Sequence, residues 1–250
     1  MAEAPDGELE SAHPDQHVVP HRLHGQQSDM AAESDRPRLV VFDFDGTLAD
    51  SFPFFLRSFD VLAGRHGFRP ILGEDLDALR GCDAKQIMRH VGIPLWKVPR
   101  VASDFRTMMA SEIDDIPLFD GVGAMLHTLV GENVRLAVLS SNSESNVRAV
   151  LGPEHARLIE CYACGASLFG KRSKLRRLLG EMNIDRRHAL CVGDEVRDAE
   201  AARSERLRFG AVSWGYTRAD VLQATRPDYL FRRVDDIAPA LLGRSTLVED

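Results

Sequence analysis

From Arg38 onward the chain alternates short, mainly apolar runs with segments of helical period, and few folds accommodate that alternation. The runs are 39–42, 134–139, 162–164, 189–192, 211–214 and 229–231. Runs this short, with no polar residue at every second position, are the pattern of strands buried on both faces. Between them lie helical candidates at 121–130, 145–151, 173–182, 196–206 and 236–242, the crossovers that parallel strands require. The expected fold class is therefore α/β, a doubly wound parallel sheet. One connection breaks the rule that βα and αβ loops take about 2 to 6 residues, because about ninety residues separate the first run from the second. From Phe52 to about Ile116 this excess has helical period, with Phe55, Phe59 and Leu62 on one face and Leu76, Leu79, Ile87, Met88 and Val91 further on. Pro53, Pro70, Pro94 and Pro99 divide it into short helices. A helical insert at this point sits over the C-terminal end of the first strand, which is where open α/β sheets bind their ligands.

Composition narrows the function classes. The 250 residues are 44% hydrophobic, enough for one core with an insertion. Of the net charge of −7, residues 1–36 contribute −6, from eight acids against Arg22 and Arg36, so the rest is nearly neutral. A nucleic-acid binder needs a basic face, and none is expected here. No apolar run approaches the roughly 20 residues of a membrane span, and the first residues lack the basic-then-apolar order of a secretory signal, so a cytoplasmic protein is expected. Residues 1–36 are rich in Pro, Asp, Glu, Gln and His and are expected to form a disordered tail, with His13, His17, His21 and His24 as solvated positions and Met30 as an alternative start. Four cysteines, Cys82, Cys161, Cys164 and Cys191, are too few for a disulfide scaffold. The lone C-x-x-C of Cys161 and Cys164 is read as strand filling in preference to half a metal site. Lysine is scarce: Lys85, Lys97, Lys171 and Lys174 are the four ammonium groups available to any chemistry.

Chemistry concentrates at the ends of the runs. The first passes into Asp43-Phe44-Asp45-Gly46-Thr47, two acids two residues apart, which an extended backbone would point to one side. The second ends in Ser140-Ser141-Asn142, the third helix opens with Gly170-Lys171-Arg172-Ser173-Lys174, and the fourth run ends in Gly193-Asp194-Glu195-Val196-Arg197-Asp198. Acid, hydroxyl, ammonium and acid thus follow in chain order.

This combination resembles the haloacid dehalogenase-like superfamily of phosphohydrolases, from about residue 38 to the end of the chain. The resemblance implies a sheet of strand order 5-4-1-2-3, a catalytic core at 37–50 and 117–250, and an α-helical cap at 51–116. It implies Asp43 as nucleophile, forming an aspartyl-phosphate, and Asp45 as general acid and then base. The second aspartate is absent from the dehalogenase branch, so its presence points to a phosphatase. Mg²⁺ would be held by Asp43, Asp194 and the Asp45 backbone carbonyl. Ser140, with Ser141 and Asn142 beside it and Gly46 and Thr47 in the turn, would meet the phosphate. Lys171 is preferred to Lys174 as the phosphate lysine from its spacing to Asp194. Asp198 and Glu195 are supporting acids.

The expected activity is a Mg²⁺-dependent phosphomonoesterase of a small phosphorylated metabolite, with phosphoglycolate as the first substrate by resemblance. Arg80, Lys85 and Arg89 are the cap cations considered for a substrate carboxylate. Trp214-Gly215-Tyr216 resembles a stretch of phosphoglycolate phosphatase-like members, but a pair of core aromatics is the preferred reading. Alternatives within the superfamily are a phosphonatase, which would need Lys85 or Lys97 for a Schiff base, and a sugar-phosphate mutase. Outside enzymes, the alternative is a binding module on the same fold.

Overall fold

The computed structural model describes residues 36–165 and 170–244. The expected tail, with its four histidines and Met30, lies outside the described residues except for Arg36. Six strands form one parallel sheet: β1 (Leu39–Phe42), β2 (Arg135–Leu139), β3 (Cys161–Ala163), β4 (Ala189–Gly193), β5 (Arg208–Val212) and β6 (Tyr229–Phe231). Their order is β3-β2-β1-β4-β5-β6, the expected five-strand order with a sixth strand beyond β5. The registers Leu39↔Arg135 and Leu39↔Ala189 bring the C-terminal ends of β2, β1 and β4 level with one another.

Period-two alternation assigns the faces of β1. Val40 and Phe42 enter one core cluster with Val122, Leu126 and Leu129 of α5 (Val122–Gly131) and Ile237 and Leu241 of α10 (Ile237–Leu241). Leu39 and Val41 enter the other with Leu175, Leu178 and Leu179 of α7 (Lys171–Met182) and Ala199, Ala201 and Ala202 of α8 (Val196–Ser204). A strand covered on both faces cannot alternate with polar residues, which is why β1 is wholly apolar and wholly buried.

The long connection holds four helices: α1 (Phe52–His66), α2 (Leu76–Leu79), α3 (Ala84–Val91) and α4 (Val98–Ser111). Helix α1 starts with a proline in its first turn and stops at Gly67, whose φ of 70° a left-handed cap requires. Helix α3 is closed by a capping box in which Asp83 accepts from the Gln86 N–H and Gln86 accepts from the Asp83 N–H. The two chain crossings into this segment lie side by side: the Asp50 N–H donates to the Pro117 carbonyl at 2.9 Å and the Phe119 N–H to the Leu48 carbonyl at 3.0 Å.

Two expectations shift. The fifth strand is Arg208–Val212 and not 211–214, because Arg208 pairs with Leu190 of β4 while Ser213 and Trp214 already lie in the turn that follows. The helix expected at 145–151 extends over Glu144–Ala156 (α6), broken at Gly152 (φ 67°, ψ 166°) ahead of Pro153. Helix α9 (Ala219–Ala224) had no counterpart in the sequence reading.

Candidate active site

Parallel strands in register deliver their last residues to one place. The Asp43 N–H donates to the Val192 carbonyl at 2.8 Å, extending the β1–β4 ladder by one residue and fixing the Asp43 side chain beside the end of β4. Asp194 leaves β4 fully buried; its Oδ1 accepts from the Thr47 hydroxyl at 2.7 Å and its Oδ2 from the Tyr216 N–H at 2.8 Å. Two glycines make room for it. A Cβ on Gly46, whose φ is 77°, or on Gly215 would collide with the Asp194 carboxylate. Asp198, from the first turn of α8, completes a cluster in which carboxylate oxygens of Asp43, Asp194 and Asp198 all lie within 4.8 Å of one another.

Lys171 begins α7 and is buried between two of these acids. Its Nζ is 2.6 Å from Asp43 Oδ2 and also bonds Asp198 Oδ1. Lys174, one helical turn on and half-buried, reaches the Ser140 carbonyl at 3.4 Å instead. The geometry thus places Lys171, the lysine preferred from spacing, against Asp43 and Asp198, and Lys174 away from both.

Asp45 is not part of the acid cluster. Its carboxylate accepts from Asn142 Nδ2 at 3.1 and 3.3 Å and sits among Ser51, Asn142 and Arg197. Asn142 is itself held, since its Oδ1 accepts from the Ser143 N–H and from Asn146 Nδ2 at 2.9 and 3.1 Å. The Ser140 hydroxyl accepts from the Asn142 N–H at 3.0 Å, while Ser143 caps α6 by accepting from the Asn146 N–H. Ser141 accepts on its carbonyl from Arg106 at 3.5 Å and lines the cavity above Asp45. In the turn, the Gly46 N–H donates to Ala49 and the Thr47 N–H to Phe44, so these donors and the Thr47 hydroxyl are all engaged within the protein. Glu195 and Asp198 cap the start of α8 reciprocally, and Arg197 pairs with Glu195.

The electrostatics follow from crowding buried acids. Burial, reinforced by Asp43, pushes Asp45 up to about 6. Burial, then repulsion from Glu195, Asp43 and Asp198, raises Asp194 well above the carboxylate range. Burial alone would lower Lys171, but Asp198 and Asp43 outweigh it and hold the ammonium charged. Asp198 is raised even with Lys171 beside it, because burial and the neighbouring acids exceed the attraction of one cation. Asp43, Asp45, Asp194 and Asp198 together outnumber Lys171 and Arg197. A surplus of buried oxygen donors with unbalanced negative charge suits a hard divalent cation such as Mg²⁺.

Residues outside the expected set also belong here. Tyr216 binds Asp194 through its N–H and Ser51 Oγ through its hydroxyl at 3.0 Å, so only Trp214 of that pair serves as core, with its Nε1 donating to the Thr47 carbonyl. A glycine between two aromatics just past a strand end was the available signal. Ser51 and Arg106 carried none, since their partners lie 165 and 35 residues away. The C-x-x-C thiols are raised by burial, Cys164 to about 12, which disfavours the thiolate a metal would need.

A family model described as haloacid dehalogenase-like hydrolase matches residues 40–212. A phosphoglycolate phosphatase of Synechococcus elongatus is 32% identical over 203 residues, covering 81% of this chain and 96% of its own length. The tyrosine-protein kinase PtkA of Mycobacterium tuberculosis is 28% identical over 199 residues, 78% of this chain and 68% of its own. The solved structure of a haloacid dehalogenase-like family hydrolase from Streptococcus pneumoniae superimposes with a TM-score of 0.69 at 17% identity, covering 83% of this chain and 99% of that one. Among the described residues no helix is long and apolar enough to cross a membrane.

Proposed function

The chain belongs to the haloacid dehalogenase-like hydrolases, and we propose that within them it is a Mg²⁺-dependent phosphomonoesterase that works through a phosphoryl ester of Asp43. The observation that carries this reading is the Asp43 carboxylate itself, buried at the tip of β1, 2.6 Å from Lys171 and facing Asp194 and Asp198. The name of the Synechococcus relative supports the ester chemistry.

In the first step an Asp43 oxygen attacks phosphorus, the bond from phosphorus to the ester oxygen breaks, and the departing alkoxide takes its proton from Asp45. Asn142 aims Asp45 at that oxygen. In the second step a water molecule attacks the phosphoryl group, Asp45 accepts its proton, and Asp43 leaves as the free carboxylate. Lys171 remains charged throughout and offsets the negative charge of the phosphoryl oxygens. Ser140, whose Oγ already accepts from Asn142, keeps its O–H to donate to a phosphoryl oxygen. Asp43 and Asp194 would hold Mg²⁺ with the Asp45 carbonyl, and Asp198 lies within reach of the same point. When bound, the ion reduces repulsion between the anionic nucleophile and the anionic ester. Segment 51–116 acts in this reading as a cap that shields the reaction from bulk water. A Schiff-base mechanism is disfavoured, because Lys97 turns to the His66 carbonyl at 3.0 Å and Lys85 is not among the residues lining the cavity.

The test is phosphate release from a panel of phosphorylated metabolites that includes 2-phosphoglycolate. Wild-type protein is expected to turn over with Mg²⁺, to stop on chelation and to resume on adding the ion back. Asp43→Asn should retain the fold by circular dichroism and lose at least about a thousandfold in kcat. Equal release by Asp43→Asn would remove the nucleophile from this role, and phosphate returned to the organic product instead of to water would indicate a mutase.

A further inference from the structure

The cavity above Asp45 changes chemistry along its length. Its polar groups, Asp45, Ser141, Asn142, Glu195 and Arg197, gather at the end of the sheet. Beyond them the wall is apolar: Phe52, Phe55 and Leu62 from α1, Ile87 and Met88 from α3, and Val101 from α4. The guanidinium groups along it leave most of this wall apolar. Arg80 spends two of its donors on the carbonyls of Tyr216 and Gly215, at 3.0 and 2.9 Å, and lies 5.4 Å over the Phe52 ring. Arg106 lies beside the Ser141 carbonyl, at the polar end. Lys85 and Arg89, the other cations considered from sequence, are not among the residues lining this cavity.

A two-carbon acid such as glycolate would be satisfied at the polar end and would leave the apolar length in contact with water. From this distribution we infer that the esters this enzyme handles best carry an extended apolar leaving group: phosphate monoesters of hydrophobic alcohols whose chain or ring runs from Asp45 toward Ile87 and Met88. The inference rests on the phosphomonoesterase reading and adds the class of substrate to it. The chemistry balances as before: the bond between phosphorus and the ester oxygen breaks, Asp45 supplies the proton, and the free alcohol and inorganic phosphate leave. Arg106 remains available beside Ser141 for the phosphoryl group or for a carboxylate close to it.

The experiment is a series of primary alkyl phosphates from ethyl to octyl, with 2-phosphoglycolate alongside, assayed for kcat/KM with Mg²⁺. Burying each added methylene in the apolar length should raise kcat/KM about two- to fourfold until the cavity is filled. Ile87→Gln, at a half-buried wall position, should flatten that slope, with ethyl phosphate as the reference within the same variant. A flat or falling slope in the wild-type protein, with turnover of ethyl phosphate or 2-phosphoglycolate intact, would overturn the apolar subsite and leave the phosphomonoesterase standing. No turnover of any member by folded, Mg²⁺-loaded protein would overturn both.

Discussion

Asp43 and Asp45 carry the same side chain two residues apart, and their neighbours divide the labour. Asp43 is set against Lys171 and the acid cluster, whereas Asp45 is turned to an amide, a hydroxyl and the mouth of the cavity. A nucleophile must stay ionised beside a cation, and a proton donor must reach the leaving oxygen, so the positions suit opposite tasks. Asp45→Asn keeps the Asn142 contact in part and removes the transferable proton. Its kcat on an alkyl phosphate is expected to fall by roughly a hundred- to ten-thousandfold. With p-nitrophenyl phosphate, whose leaving group needs no proton, the first step should suffer far less, visible as a pre-steady-state burst of nitrophenolate. An equal loss with both esters and no burst would deny Asp45 the role of acid. The five residues Asp43, Asp45, Ser140, Lys171 and Asp194 stood out in the sequence because four sit in strand-end motifs and Lys171 opens a helix at a fixed spacing from Asp194. Ser51 and Arg106 did not, and Tyr216 was read with Trp214 as a core aromatic, because their place depends on chain segments that meet only after folding. The choice of Lys171 over Lys174 is likewise tertiary: one turn of α7 decides which ammonium is buried against Asp43.

Among the elements, the strands were legible wherever burial on both faces made them wholly apolar. Strand β5 was misplaced because Arg208, half-buried, opens it with a charged residue where an apolar run was sought. Helices α7 and α8 show the opposite case, a link between elements that apolar periodicity does not reveal. Glu205, just past α8, is buried, yet it accepts from Arg176 of α7 at 3.1 Å and from Arg186 ahead of β4 at 3.1 Å, with Arg172 at 3.7 Å. Burial by itself would raise this carboxyl, and the arginine hydrogen bonds outweigh it and hold the group below the usual glutamate range. A carboxyl lowered by folding stabilises the native state above its unfolded pKa, and that contribution fades as pH falls through the lower folded value. Glu205→Gln is therefore expected to cost about 1 to 2 kcal/mol at neutral pH, less than a fully buried pair because the arginines remain partly in water. The gap between variant and wild type should hold above about pH 5 and close below the ordinary glutamate pKa. Urea midpoints measured across that interval check it, and a gap that widens on acidification would contradict the assignment.

At the scale of the whole molecule, the helical segment looks separable along the chain and is not separable in the core. Phe54, Met109 and Ile116 come from 51–116, yet they are buried in the same cluster as Phe42, Leu136 and Val192 of the sheet. Met109 also places its sulfur 2.8 Å from Asn142 Nδ2, the amide that holds Asp45. Helical periodicity and prolines could locate the insert in sequence, but they could not tell which of its apolar residues face its own helices and which complete the sheet's core. A shared cluster implies shared cooperativity, because the insert cannot melt without opening a cavity against β1 and β2. The chain has two tryptophans, Trp96 in the insert and Trp214 in the core, so a Trp96→Phe protein reports core unfolding by fluorescence alone. Its urea transition is expected to coincide with that of the helical circular dichroism signal. In the same background Met109→Ala should move both midpoints down together, by about 2 to 4 kcal/mol at unchanged m, whereas Met109→Leu, which conserves volume, should cost less than about 1.5 kcal/mol. If the circular dichroism transition instead separates and precedes the Trp214 signal, the insert is an independent domain, and the contact from Met109 to Asn142 cannot couple its folding to the site.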